Sequence, residues 1–333
     1  MRVGVIYLVA SIIVFVLKSA AAIATSSMAL YSDALETLVN VAAAIVSLLV
    51  LKFISQPKDE NHPYGHGKAE FISSAVEGGF VLSAALAIFI QARPALFSEQ
   101  HIEFNEIGLV VAVIATAINV GLAYYLRQVS KSKKSVMLNA SSVHVMSDVW
   151  TTVGVLLALG ISKMTHFLWI DPVIALVLAL FLFQEGYKVV REAFSGLTDE
   201  LDPKILKELT MSFQKVVEAG SLPPGLIDLH DVRFIRSGNF HHVDAHLVVP
   251  RFWDVSHTHT FMEEVEDRFV SAYKFDGEVA FHIDPCEPED CPYCDYPNCP
   301  VRSTAFVKRK SFTPEEVVGE KKLLKNSSYR QTP

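Results

Sequence analysis

Cysteine is almost absent from this chain: 333 residues hold four, and all of them fall between Cys286 and Cys299. A secreted disulfide scaffold spreads its cysteines, so this bunching points to metal or redox chemistry instead. An excess of basic residues is missing as well. Asp and Glu outnumber Lys and Arg by 36 to 29, a net charge of −7, which argues against a nucleic-acid partner and the basic face it would need. No cleavable signal stands out after Met1-Arg2, and no internal repeat is visible. No nucleophile is evident, so an enzyme is not expected.

Charge is scarce in the first two thirds and plentiful in the last. A bilayer core of roughly 30 Å takes about 20 apolar residues per helix. Runs near 3–24, 29–53, 71–95, 106–127, 136–162 and 167–190 meet that length, which predicts a bundle of six transmembrane helices over residues 1–192. Loops two and four carry Lys52, Lys58, Lys68, Arg127, Lys131, Lys133 and Lys134, whereas the odd loops offer little beyond Arg93 and Lys163. By the positive-inside rule the even loops and both termini face the cytoplasm.

Beyond residue 192 the pattern shortens. Helical periodicity over 202–217 and 258–272 and alternation over 227–235, 241–249 and 278–283 predict a small α-β-β-α-β domain, with helices on one face of a short sheet. This second domain is expected over 193–300. The polar, lysine-rich stretch 301–333 reads as a disordered tail.

Several polar residues interrupt the apolar runs. His144 and Asp148 lie four apart in the fifth run and so share one helix face, as do Glu36 and Asn40 in the second, with Asp33 seven residues before Asn40. Ionisable groups at membrane depth are expensive and usually have a partner or a task. Together these five offer nitrogen and oxygen ligands of intermediate hardness for a divalent cation, or they satisfy one another by interhelical hydrogen bonds. The loop from Pro57 to Glu70 gathers Asp59, His62 and His66, either a cation site or ordinary loop histidines. The tail domain holds seven histidines between His230 and His282. Of these, His230, His246 and His282, with Asp284, fall on or beside predicted strands, and His257 and His259 start a helix. The cysteines, Cys286-x4-Cys291-x2-Cys294-x4-Cys299, could wrap one zinc ion, or the central pair could serve redox chemistry.

The stretch Gln56-Pro57 through Gly65-His66-Gly67-Lys68-Ala69-Glu70, together with His144-x3-Asp148, resembles the cation diffusion facilitators, and in particular their bacterial zinc/proton antiporter-like branch. The resemblance runs from the first helix to about Pro285. It implies a homodimer of six-helix protomers, each with a ferredoxin-like cytosolic domain. It also implies export of a divalent transition metal against inward proton flow. By it the transport site is Glu36, Asn40, His144 and Asp148, with Asp33 supplying charge where Asn40 replaces the branch's usual Asp. A loop site carries over to Asp59, His62 and His66. A tail-domain site carries over to His230, His246, His282 and Asp284, with His257 or His259 from the helix. The reading from another class is a membrane-tethered metal sensor that binds without transporting.

Overall fold

The computed structural model describes residues 1–25, 28–95, 106–165, 170–218 and 224–318. Two compact units emerge, Met1–Thr198 and Asp199–Pro333. The division falls after 198 rather than after 192 because the sixth helix continues to Leu197.

The first unit comprises α1 (Arg2–Thr25), α2 (Met28–Ile54), α3 (Ala69–Ala95), α4 (Glu106–Lys133), α5 (Val136–Thr165) and α6 (Ile170–Leu197). At 24 residues, α1 is about 36 Å long and so outspans the hydrocarbon layer. Among the described residues, α1 to α4 and α6 each contain a stretch long and apolar enough to cross a membrane. The 30-residue α5 packs against α2, α3, α4 and α6 in the same bundle. Leu86, Ile90, Val177 and Leu180 remain exposed on α3 and α6, an apolar surface suited to lipid tails.

Close approach of α3 and α6 depends on glycine. A Cβ at Gly196 would lie 2.3 Å from the Phe71 ring, and one at Gly78 would lie 2.8 Å from Val190. Between helices in lipid, where the hydrophobic effect no longer draws them together, such small-residue contacts supply the packing. Pro57 keeps α2 from continuing, since it lacks an N–H and clashes with the preceding turn. The chain enters the loop at Gln56, whose N–H donates to Phe53 O.

The second unit has the predicted order: α7 (Pro203–Glu218), β1 (Asp228–Ser237), β2 (Phe240–Val249), α8 (Val255–Ala272) and β3 (Asp276–Pro285). β2 is central, antiparallel to β1 and parallel to β3, with α8 as the crossover. Leu247 and Val249 point into the core shared with the helices, where Phe213 and Phe269 stack at 3.8 Å. Val248, on the opposite face, packs with Ile227, Cys286 and Cys294. The second face is therefore covered too, by the segment that follows β3 and contains the 3-10 helix Pro288–Tyr293.

The expectation of a structureless tail from 301 fails for residues 301–318. Lys310 Nζ donates to Asp228 Oδ2 at 2.6 Å, and the Phe312 N–H donates to Gln214 Oε1 at 3.1 Å. Phe312 and Val317, the latter in the short α9 (Pro314–Val318), are buried in the core. The segment runs largely extended and buries isolated apolar residues between lysines, so its sequence shows no helical or strand period. Residues 319–333 lie outside the described residues. Removing a buried phenylalanine ring typically costs about 3–5 kcal/mol. Phe312→Ala should therefore lower the unfolding midpoint of the C-terminal unit in the full-length detergent-solubilised protein, and an unchanged midpoint would mean that the segment does not hold the core.

Candidate metal centre

Helical geometry places Asn40 on α2 opposite His144 and Asp148 on α5. His144 Nε2 lies 2.9 Å from Asn40 Oδ1, and Asn40 Nδ2 donates to Asp148 Oδ2. One amide thus spans both groups. Because Oδ1 can only accept, Nε2 carries the imidazole proton in this arrangement. Nδ1, buried, has no hydrogen-bond partner. Asn40 and His144 are themselves buried, yet beside them opens a cavity of about 510 Å3 lined also by Asp148, Phe80, Ser83 and Gln91. The Phe80 ring stands 5.9 Å from that of His144. Of the five residues singled out in the second and fifth runs, three meet here. Glu36 and Asp33 lie one and two turns before Asn40 on α2, and their side chains fall outside the described residues.

The loop between α2 and α3 draws Asp59, His62 and His66 into one group, with ligand atoms all within 4.8 Å of one another. Asp59 Oδ1 accepts from the backbone N–H groups of Asn61 and His62 and lies 3.0 Å from His62 Nδ1; Oδ2 lies 3.3 Å from His66 Nε2. Gly65, at φ +80°, makes the turn that brings His66 back, a conformation glycine takes at little cost. His66 is buried against the Phe53 ring, 4.5 Å away, whereas Asp59 and His62 are exposed. Partial desolvation works to raise the Asp59 carboxyl, but the hydrogen bonds and charge of His62, with the charge of His66, hold it below the usual carboxylate range.

In the second unit the strand register does the gathering. His230 on β1 pairs with His246 on β2, which pairs with His282 on β3, so the three imidazoles form a row across the sheet. Asp284 shares the face of His282, two residues on. His230 Nε2 stands 3.4 Å and His246 Nδ1 2.9 Å from Asp284 Oδ2, and these three make the second ligand group. His282, exposed, lies 3.7 Å from Asp284 Oδ1. Asp231 and Asp228 were not anticipated. Asp231 sits in the β1 bulge at φ +50°, 3.5 Å from His246 Nε2, and Asp228 Oδ2 is 3.8 Å from His230 Nδ1. No periodicity in the sequence reveals a bulge, which alone turns Asp231 towards the row.

Two expectations are not met among the described residues. His257 and His259 join neither group: the His257 ring packs on Trp253 at 4.4 Å while its N–H caps α8 on Asp254, and His259 faces Glu263 at 3.4 Å. The four cysteines, all free, do not bring their sulfurs together as a ligand set. Cys286 and Cys294 are turned into the apolar cluster on the sheet, where burial pushes their thiols up. Cys291 instead faces Ser303, whose hydroxyl and whose N–H, 3.4 Å from the sulfur, lower its thiol.

Comparison with known proteins adds an independent line. Residues 4–198 match the cation efflux transmembrane domain, and residues 208–286 match the cation efflux protein cytoplasmic domain. An uncharacterized transporter of Synechocystis sp. is 35% identical over 272 residues, covering 81% of this chain and 86% of that protein. The cation-efflux pump FieF of Serratia proteamaculans is 29% identical over 275 residues, covering 82% and 89%. FieF of Yersinia pestis (strain Pestoides F) is 29% identical over 263 residues, covering 79% and 85%. With both units matched in order, the chain belongs to the cation efflux, or cation diffusion facilitator, family: it is an integral membrane protein of metal-cation efflux and not an enzyme.

Proposed function

We propose that this chain exports a divalent transition metal, Zn(II) or a related ion such as Fe(II), Mn(II) or Co(II), from the cytoplasm in exchange for protons, as a homodimer in the cell's inner or plasma membrane. The observation that carries this reading is the convergence of Asn40, His144 and Asp148 beside a cavity inside the helix bundle. An imidazole nitrogen, a carboxylate and an amide oxygen suit a borderline cation, with Glu36 and Asp33 placed earlier on the same helix to complete the set. The FieF relatives carry the name of a cation-efflux pump, which agrees with the direction. A homodimer accords with the match of the second unit to the family's cytoplasmic domain.

A metal ion needs His144 neutral at the ligating nitrogen and Asp148 ionised, so protons and metal compete for one set of atoms. Histidine is the side chain that ordinarily changes charge near neutral pH. Metal enters from the side bearing Asp59, His62 and His66, displaces the proton from the centre and breaks the Asn40 bridge to ligate. Protonation from the far side then weakens the ligands and releases the ion. The row of His230, His246 and Asp284, with His282 beside it, takes the same ion as a regulator, biasing the pair of protomers towards one arrangement by differential affinity.

Reconstituted into proteoliposomes with a pH gradient, the wild-type chain should move metal and protons in opposite directions. Metal binding without flux would make it a membrane-tethered sensor instead. Loss of a partner one shell out from a metal costs about 10–100-fold, so His144→Ala should cut metal flux by at least that; wild-type rates would remove His144 from the centre. Asn40→Asp adds an anionic oxygen and should move the uptake preference towards Zn(II), and an unchanged metal profile would mean that Asn40 is no ligand. Asp59→Asn should raise the half-saturating metal concentration at least about tenfold with the maximal rate kept, and an unaltered concentration dependence would exclude the loop as an entry site.

A further inference from the structure

A second ionisable group is buried in the bundle, and the metal centre does not use it. Glu77 on α3 is 1% exposed. Ser47 from α2 and Ser141 from α5 both donate to its Oε1, at 2.5 and 2.9 Å, and Oε2 has no hydrogen-bond partner. Among the described residues no cation pairs with it. The titratable group facing it is Tyr7 of α1, wholly buried with a hydroxyl that has no hydrogen-bond partner and within electrostatic reach of both Glu77 and Asp148; His144 and Asp148 follow Ser141 on α5 by three and seven residues. Glu70 lies two turns earlier on α3. At the residue after Glu77, Gly78, the atoms nearest to an added Cβ belong to Val189 and Val190 of α6.

The contacts fix the depth of Glu77. Ser47 lies seven residues beyond Asn40 on α2, towards the loop that follows. Ser141 comes three residues before His144 on α5, towards the loop that precedes. Phe80, which touches both the cavity and the His144 ring, stands one turn beyond Glu77 on α3. The three helices therefore place Glu77 one to two turns from the metal centre, on the side of loops two and four. On that same side several buried residues of α3 are polar, though Phe71 is not: Ser73 and Ser74 are buried, and Glu70 accepts from Ser135 Oγ at 2.6 Å and from the Val136 N–H at the start of α5.

A lone carboxylate at this depth is disfavoured unless it has donors, and a neutral acid is disfavoured if its carbonyl goes unpaired. Two hydroxyls on Oε1 serve either form, and the vacant Oε2 is where a proton can sit. We propose that Glu77 is the proton relay on the loop-two and loop-four side of the centre. Its Oε2 takes the proton that incoming metal displaces from the His144 and Asp148 site and then gives it up towards Glu70 and the aqueous face, one proton gained and one lost per turnover. This rests on the metal/proton exchange proposed above.

The test is Glu77→Gln in the full-length protein reconstituted into vesicles, with Zn(II) as the probe and an internal pH-sensitive dye. Glutamine keeps the Oε1 acceptor for both serines but cannot carry the proton. The expected result is at least a tenfold fall in protons moved per Zn(II) transported, with calorimetric Zn(II) binding weaker than wild type but retained. Proton flux per metal equal to wild type would overturn the assignment. Should the glutamine variant not fold, Glu77→Asp keeps a titratable group at altered reach and should shift the pH dependence of proton flux; an unshifted profile would equally overturn it. A wild-type protein that moves Zn(II) without protons would defeat the exchange reading itself, whereas coupled wild type with coupled Glu77→Gln defeats the relay alone.

Discussion

One amide holds the centre of this protein together. Asn40 accepts on one atom and donates on another, so it ties α2 to both His144 and Asp148 of α5. In a low-dielectric interior a polar group left unpaired is costly, and each pairing fixes the rotation of the helix that bears it. The face that α2 turns inward follows from this, and so does the position of Ser47 two turns along, within reach of Glu77. His144 Nε2, Asn40 and Asp148 satisfy one another without a metal, while Nδ1 of His144 is left without a hydrogen-bond partner. A site of this kind does not have to be held open at the cost of stranded charges.

The bundle around the centre is closed in some places and open in others, for identifiable reasons. α3 and α6 close on glycines, which let side chains of one helix rest on the backbone of the other. Beside Asn40, His144 and Asp148 the lining mixes Ser83 and Gln91 with Val39, Phe80, Ala84 and Ile88, and a cavity of about 510 Å3 remains. Tight packing on one side and looseness on the other suit a bundle in which one set of helices moves against a fixed frame.

How much of this was legible in the sequence depended on whether a residue's partner lay at a regular spacing. The pairing of His144 with Asp148 is a helical i, i+4 relation, and the approach of Asn40 followed from needing a partner in lipid. The α-β-β-α-β order came directly from periodicity. The row of His230, His246 and His282 could be suspected but not aligned, since register depends on the bulge between His230 and Arg233. Asp231 enters only through that bulge. The cysteines lie near one another as their spacing suggests, but Cys286 and Cys294 are turned into the apolar cluster while Cys291 accepts from Ser303, an orientation that spacing does not reveal. Glu77, an acid in an apolar run, was not singled out because no ionisable residue stands three or four places from it in that run; its partners are two serines from other helices.

Charge links the two buried sites. With His144 and Asn40 neutral, Asp148 is the one anionic side chain in the described part of the centre, so a bound dication leaves a net positive charge inside the bilayer, an expensive state. A carboxylate one to two turns away, with both serines donating to it, offsets that charge when ionised and is an expense of its own once the metal has gone. The two ions therefore belong together: metal in the centre favours the anion of Glu77, and an empty centre favours its acid. No contact between them is required, because in a medium of low dielectric constant the field acts over that distance with little screening. The metal/proton exchange proposed above would answer to this same constraint, and in it the serines on Glu77 would matter alongside the proposed ligands.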